Sequence, residues 1–351
     1  MKAKKVFIGL SDIASFIDDW NEGCKSNGVQ TLRGTNKYQH KYQNSPLDFV
    51  IEKTKDRIGY FRPGRISIKV KPYWDKKVRD YYFKKAIKEC DIFIYFWDSF
   101  YADKSDYKLL KELGKKIITV FVGSEVRWHP AMAQEFIKAG LRPIEYDNYD
   151  FSSSSLNHQL NYLRIAEKYS DLIISLPNVM QLALRPYHKI LIPIVAKNYL
   201  EKKKQTIVPL LVHAPTSIGK GTQSIEKAIV QLKNIGLTFN YQRIENTPRT
   251  EALNIYSEAD IIIDQVLTPG GGKLAHEGLA MGKIVLTLMA CGTYNQKRPS
   301  DCPLVDVREE TLYDVLKKLI PDVTLRNEIA KKGRPYIEKH HNPKKIVVDV
   351  L

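Results

Sequence analysis

The chain has 351 residues, 55 basic against 39 acidic side chains, and a formal net charge of +16 at neutral pH. With 43% hydrophobic and 27% charged residues it has an ordinary globular composition, which excludes a disordered or fibrous chain. The length exceeds one typical domain and fits two of about 100–200 residues each, and no apolar run nears the about 18 residues of a membrane-spanning helix.

The N-terminal stretch MKAKKVFIGLSDIASF is basic and then apolar, but Ser11 and Asp12 cut the apolar run too short for a secretory leader. Cys24, Cys90, Cys291 and Cys302 form no Cys-x-x-Cys pair and have no histidines at zinc-ligand spacing. Buried, inert thiols in a cytoplasmic protein are therefore expected. His340 and His341, adjacent in sequence, do not face one ion from a helix and read as a helix end.

Strand-like apolar runs occur at Val6–Leu10, Asp91–Trp97, Lys116–Val122 and Asp171–Leu176. They recur at Ile207–Ala214, Thr238–Ile244, Asp260–Val266, Lys283–Met289 and Leu304–Val307. Helical spacing fills stretches between most of them, as at Ile13–Cys24, Ile225–Leu232, Ala252–Ala259 and Leu312–Ile320. Runs such as DIFIYF and DIIIDQV are continuously apolar, which fits parallel strands covered by helices on both faces. The segment around residue 193, with Pro186, Pro193, Pro209 and lysines 202–204, reads as a linker. The expected architecture is α/β: two doubly wound domains, 1–192 and 193–340, facing a cleft, with a tail at 341–351. Gly28–Trp74 reads as an irregular insertion.

Doubly wound sheets bind ligands at the carboxyl ends of their strands. In the second half the loops there include PTSIGKG, with Thr216, Ser217, Gly219 and Lys220, and TPGGGK, with Gly270, Gly271, Gly272 and Lys273. Each leads into a helix, so backbone N–H groups and the positive dipole end present themselves to phosphate. A single loop of this kind is ordinarily a tight turn, and Lys220 alone a solvated lysine. Two of them on neighbouring strands point to a diphosphate held without a metal. Neither matches the P-loop pattern, and no Gly-x-Gly-x-x-Gly follows the first strand, so a P-loop ATPase and a classical dehydrogenase are disfavoured.

The segments VHAPTSIGKGTQSIEKAI and YSEADIIIDQVLTPGGGKLAHEGLAMGKIVL resemble the nucleotide-sugar-binding half of GT-B glycosyltransferases, specifically the retaining family 4 group. The first half resembles it through DIFIYFWDSF, LGKKIITVFVGSEVRW and KYSDLIISLPNVMQL, and the C-terminal helices expected at Leu312–Ile320 and Thr324–Lys339 resemble the closing helices of that fold. The resemblance implies that Lys220 neutralises the donor diphosphate and that Glu277 binds the ribose. It implies that Gly270–Leu274 meet the sugar and phosphate, with Lys273 and Leu274 at the loop's end, and that Arg243 to Asn246 face the base. It places Gly123, Ser124, Glu125 and Arg127 on the donor-sugar side, with Gly9 in a shortened first loop. Asp12, Asp98 and Glu125 lie in first-domain loops at the same sheet edge, where caps and structural contacts are the plainer roles. Pro269 stands where the family's first glutamate belongs, Val122 where a sugar-touching histidine is common, and Pro215 where an arginine is usual. Thr216 or Ser217 would substitute for that arginine as hydroxyl donors.

The function so implied is glycosyl transfer from a UDP- or GDP-sugar to a glycan or lipid-diphosphate-linked acceptor, retaining and metal-independent, in surface polysaccharide or glycoconjugate assembly. A nucleotide-sugar binder without turnover and a nucleotide-sugar epimerase are the alternatives. Nucleic-acid binding has only the net charge in its favour, with no recognition motif beside it. Residues 1–192 hold 32 basic against 22 acidic side chains, and Arg62–Lys88 alone holds ten against two. Tyr73, Trp74, Tyr81, Tyr82 and Phe83 interleave with these cations, a mix that suits either an anionic membrane surface or a solvated basic helix with one aromatic core face. The first reading makes the protein peripheral on the inner face of the membrane.

Overall fold

The computed structural model describes residues 5–37, 46–52, 65–146, 149–175, 180–201, 204–289 and 299–351, with side chains from residue 75 onward in the helix that starts at Arg65. Two compact units form. One comprises Met1–Trp128, Phe151–Ile190 and Pro343–Leu351, the other His129–Asp150 and Leu191–Asn342. Against the single cut expected between 192 and 193, residues 129–150 pack in the second unit and the last nine residues in the first. The reasons are apolar. Met132, Phe136 and Leu141 cluster with Leu288 of the second unit. In the first unit, Val347 closes on Gly23, where an added Cβ would lie 2.4 Å from a Val347 methyl.

The first unit is a seven-stranded parallel sheet built from β1 (Lys5–Leu10), β2 (Gln30–Thr35), β3 (Phe49–Val50), β4 (Ile92–Phe96), β5 (Lys116–Phe121), β6 (Leu172–Ser175) and β7 (His188–Lys189). The order is β3-β2-β1-β4-β5-β6-β7, with every pairing parallel. β1, β4 and β5 are apolar along nearly their whole length because both faces are covered. One face carries an aromatic core, with Phe7 and Phe100 ring centroids 5.1 Å apart and Phe49 stacked on Tyr82 at 4.1 Å. On the other, Trp20 of the helix Phe16–Ser26 meets Phe96 edge-on at 5.7 Å.

The stretch expected to be an irregular insertion instead supplies β2, β3 and the helix Arg65–Glu89. QTLRGT hides as a strand because it is polar and only partly buried, and the two-residue β3 leaves no periodicity to read. Residues 38–45 and 53–64 of that stretch, including Arg62, lie outside the described residues, as do Cys291 and the expected loop residues 290–298.

The second unit is a five-stranded parallel sheet of β8 (Leu210–His213), β9 (Asn240–Arg243), β10 (Ile261–Gln265), β11 (Ile284–Thr287) and β12 (Val305–Asp306), ordered β12-β11-β10-β8-β9. The chain leaves β8 toward β9 on one side and continues the sheet through β10 on the other. The topological switch point therefore lies between the ends of β8 and β10. Helices Thr222–Asn234, Arg249–Glu258 and Lys273–Ala280 follow β8, β9 and β10, and Leu312–Leu319, Val323–Ala330 and Gly333–His340 follow β12. The single helix expected at Thr324–Lys339 is thus two. Arg334 holds the carboxyl end of Lys273–Ala280, donating from Nη1 to Ala280 O at 3.0 Å and to Tyr199 O at 2.8 Å.

Candidate functional site

The loops after β8 and β10 are zipped together at the switch point of the second unit. Val266 N donates to Lys220 O at 3.2 Å, and Thr268 donates to Gly219 O from its backbone N at 3.1 Å and its hydroxyl at 3.0 Å. This approach admits only glycine. A Cβ on Gly219 would lie 2.4 Å from Thr268 Oγ1, and one on Gly221, whose φ is +77°, would lie 2.4 Å from a Val266 methyl. Within the second loop Gly270 has φ +92° and donates to Leu288 O at 2.8 Å, while the Gln265 amide donates to the carbonyls of Thr268, at 2.9 Å, and Gly270.

A buried carboxylate joins the two loops. Asp264, 0% exposed near the end of β10, accepts from Lys220 Nζ at 2.5 Å through Oδ1 and from Gly272 N at 3.0 Å through Oδ2. Gly272 is the N-cap of Lys273–Ala280 and has no side-chain cap of its own. Lys273 is buried in the first turn of that helix and Leu274 half-buried beside it. Thr216 and Ser217 are exposed on the rim of the first loop.

Glu277, expected to meet a ribose, lies one turn into the helix and is 2% exposed. Its Oε1 accepts from Arg249 Nη2 at 2.6 Å and from the Tyr199 hydroxyl at 3.0 Å. Arg243 is exposed at the end of β9 and donates to Glu226 at 3.0 Å and Glu245 at 2.6 Å, which holds its guanidinium above the usual range. Asn246, also exposed, sits in the left-handed region at φ +52°.

Sequence reading missed Asp264, Arg249, Tyr199 and His213. The signal for Asp264 was available: an acid inside a fully apolar parallel strand needs a partner. His213, 0% exposed at the end of β8, sets Nδ1 2.8 Å from Ile263 O and Nε2 3.1 Å from the hydroxyl of Thr222, the first residue of Thr222–Asn234. The Ile263 carbonyl requires Nδ1–H, so in the neutral ring Nε2 accepts a hydrogen bond from the Thr222 hydroxyl. Burial lowers its pKa below 6.5.

The first-unit candidates serve their own sheet edge. Gly9 allows close strand approach, since a Cβ there would lie 2.5 Å from Gly34 O. Asp12, 1% exposed, accepts from Ile17 N at 3.2 Å and so fixes the entry to Phe16–Ser26. Asp98 accepts from the Ser11 hydroxyl at 2.8 Å and the Asn36 amide at 3.3 Å, with Lys104 Nζ 3.7 Å away. The Gly123–Arg127 turn is pinned twice. Glu125 accepts from Gly123 N at 2.7 Å and Val122 N at 3.3 Å, and the Gln159 amide donates to the carbonyls of Ser124, Glu125 and Arg127. Burial raises the Glu125 pKa to about 7. Of the second-unit candidates, Gly219, Lys220, Gly270 and Gly272 are joined in the two tied loops, while Arg243 and Glu277 bond to other partners; those of the first unit fall in separate local sets around Asp12, Asp98 and the Gly123–Arg127 turn. Among the described residues, no three His, Cys, Asp or Glu are grouped to hold a metal ion. None of the described helices is long and apolar enough to cross a membrane.

No protein-family model and no curated protein sequence matches the chain. Solved structures do. HepE of Anabaena, determined with UDP and glucose, is 12% identical, with a TM-score of 0.60 over 99% of this chain and 98% of that one. Sucrose-phosphate synthase of Thermosynechococcus elongatus is 11% identical, with a TM-score of 0.62 over 99% and 97%. WaaG, a glycosyltransferase involved in lipopolysaccharide biosynthesis, is 13% identical, with a TM-score of 0.58 over 99% of both chains. The fold is that of the GT-B glycosyltransferases.

The lowered pKa of His213 fixes the sign of a pH effect. Below 6.5 the unfolded chain binds a proton that the folded chain refuses, so this stabilisation is present above 6.5 and is lost as pH falls toward the folded pKa. Urea unfolding from about pH 7.5 to about 5.5 should therefore cost the wild type up to about 1.4 kcal/mol per pH unit more than His213→Gln. Parallel pH profiles for the two proteins would contradict a neutral His213.

Proposed function

We propose that the protein transfers a glycosyl group from a nucleoside-diphosphate sugar to an acceptor hydroxyl, with retention and without a metal. One observation carries this reading: at the switch point between β8 and β10, two glycine-rich loops open into helix N-termini and are tied by Lys220, Asp264 and Gly272. A leaving diphosphate gains negative charge as the anomeric bond breaks. Lys220, Lys273 and the loop amides are the groups that would stabilise it, and preorganised donors need no reorientation at that moment. The HepE complex with UDP and glucose supports a UDP-linked donor on this fold. The Arg249 pairing of Glu277, together with Pro269 and Val122, favours a second reading in which donor is bound without turnover.

Lipid-linked or membrane-bound acceptors fit the basic helix Arg65–Glu89. Val78, Phe83 and Ala86 are buried, while Lys76, Lys77, Tyr81, Lys84 and Lys88 are exposed, Tyr81 at 64%. The acids of this stretch turn aside, Asp75 accepting from Arg79 and Asp80 from the Tyr101 hydroxyl. Exposed lysines with an exposed aromatic ring beside them suit anionic headgroups.

Two tests follow. Purified protein offered UDP-, GDP- and ADP-sugars with an acceptor pool should release free nucleotide from one of them by mass spectrometry. Lys220→Ala should slow that release by about 30- to 1,000-fold, corresponding to about 2–4 kcal/mol of transition-state stabilisation. Full activity in Lys220→Ala would end the assignment, and binding without release in the wild type would favour the second reading. Separately, charge reversal at Lys76, Lys77, Lys84 and Lys85 should abolish sedimentation with anionic liposomes and leave nucleotide binding unchanged; undiminished sedimentation would remove the membrane role.

A further inference from the structure

Asp264 already occupies both of the groups that a diphosphate would take at the switch point. Its two oxygens hold the Lys220 ammonium at 2.5 Å and the Gly272 amide at 3.0 Å. These donors stand side by side: a Cβ built on Gly272 would lie 3.9 Å from Lys220 Nζ and 3.8 Å from Asp264 Oδ2. Among the described residues no other carboxylate bonds to either donor, and Glu277 is engaged with Arg249 and Tyr199. Asp264 is fully buried, so the charge of Lys220 is cancelled inside the protein before any ligand arrives. Carboxylate and phosphate oxygens accept from ammonium and amide donors in the same way.

We propose that Asp264 is an internal rival of the donor diphosphate. It keeps Lys220 and the Gly272 amide in place while the site is empty, lowers the affinity for nucleoside diphosphate, and reclaims both donors when the spent nucleotide leaves. The proposal rests on the donor reading of this site.

Replacing Asp264 by Asn keeps the shape and an acceptor for Gly272 N but removes the charge that neutralises Lys220. Nucleoside diphosphate should then bind at least about tenfold more tightly, with a steeper loss of affinity on raising salt from about 50 to about 200 mM. Lys220→Gln has the opposite effect, leaving a buried, unpaired carboxylate beside the ligand and weakening binding by at least about tenfold. A role limited to holding the loops would weaken binding in both variants.

The experiment is isothermal titration of wild type, D264N and K220Q with UDP, GDP and ADP at both salt concentrations, each protein checked by thermal unfolding. D264S replaces D264N if the latter does not fold. The expected order of affinity is D264N, then wild type, then K220Q. Binding by wild type with equal or weaker binding by the Asp264 variant overturns the rival role and leaves the donor reading intact. Wild type that binds none of the three nucleotides overturns the donor reading and the proposal with it.

Discussion

A carboxylate with no exposure cannot stay charged without close partners, since its desolvation costs several kcal/mol. Asp264 meets that requirement with one ammonium and one backbone amide drawn from two different loops. Satisfying this one group therefore fixes the path of the Lys220 loop, the start of the Lys273–Ala280 helix and the spacing between them. The glycines follow from the same constraint, because Gly219 and Gly221 must let the loops touch along Val266 and Thr268. The loops gain rigidity, and Lys220 is left with less charge to offer a ligand than its side chain alone would carry.

Other buried polar groups of the second unit serve the same placement. His213 ties the end of β8 to Thr222 at the start of its helix. Glu277 and Arg249 join the helix after β10 to the helix after β9. Asp260 accepts from Leu210 N and Thr206 N at 2.9 Å each, holding the approach to β8 at the opposite end of the sheet. The Glu277–Arg249 and Asp260 bonds cross between segments 28 to 54 residues apart, so the loop geometry is a property of the folded unit and not of the glycine-rich segments alone.

The same distinction explains what could be read from the chain. The central strands were legible because burial on both faces makes them continuously apolar, as in IFIYF and IIIDQ. β2 and β7 were not, because β2 is polar and only partly buried and β7 is two exposed residues. The loops PTSIGKG and TPGGGK were legible as strand-to-helix turns rich in glycine. The partners of Glu277 were not, since Arg249 and Tyr199 lie 28 and 78 residues away and nothing local marks them. The placement of 129–150 depends on Leu288, again a contact without local trace. Some of the lysines are held in pairs, with Lys111 and Lys116 sharing Asp171 and Lys5 bound to Glu89, while Lys76, Lys77, Lys84 and Lys88 of Arg65–Glu89 stand exposed.

The donor reading puts the nucleoside diphosphate at the tie between Lys220, Asp264 and Gly272. Backbone amide resonances of isotope-labelled protein, followed during titration with UDP and then GDP, test it most directly. With the diphosphate bound there, the amides of Gly219, Lys220 and Gly272 should shift together, with a common midpoint, for one of these nucleotides. Nucleotide-induced shifts confined to other residues, with these three amides unmoved at saturation, would contradict it.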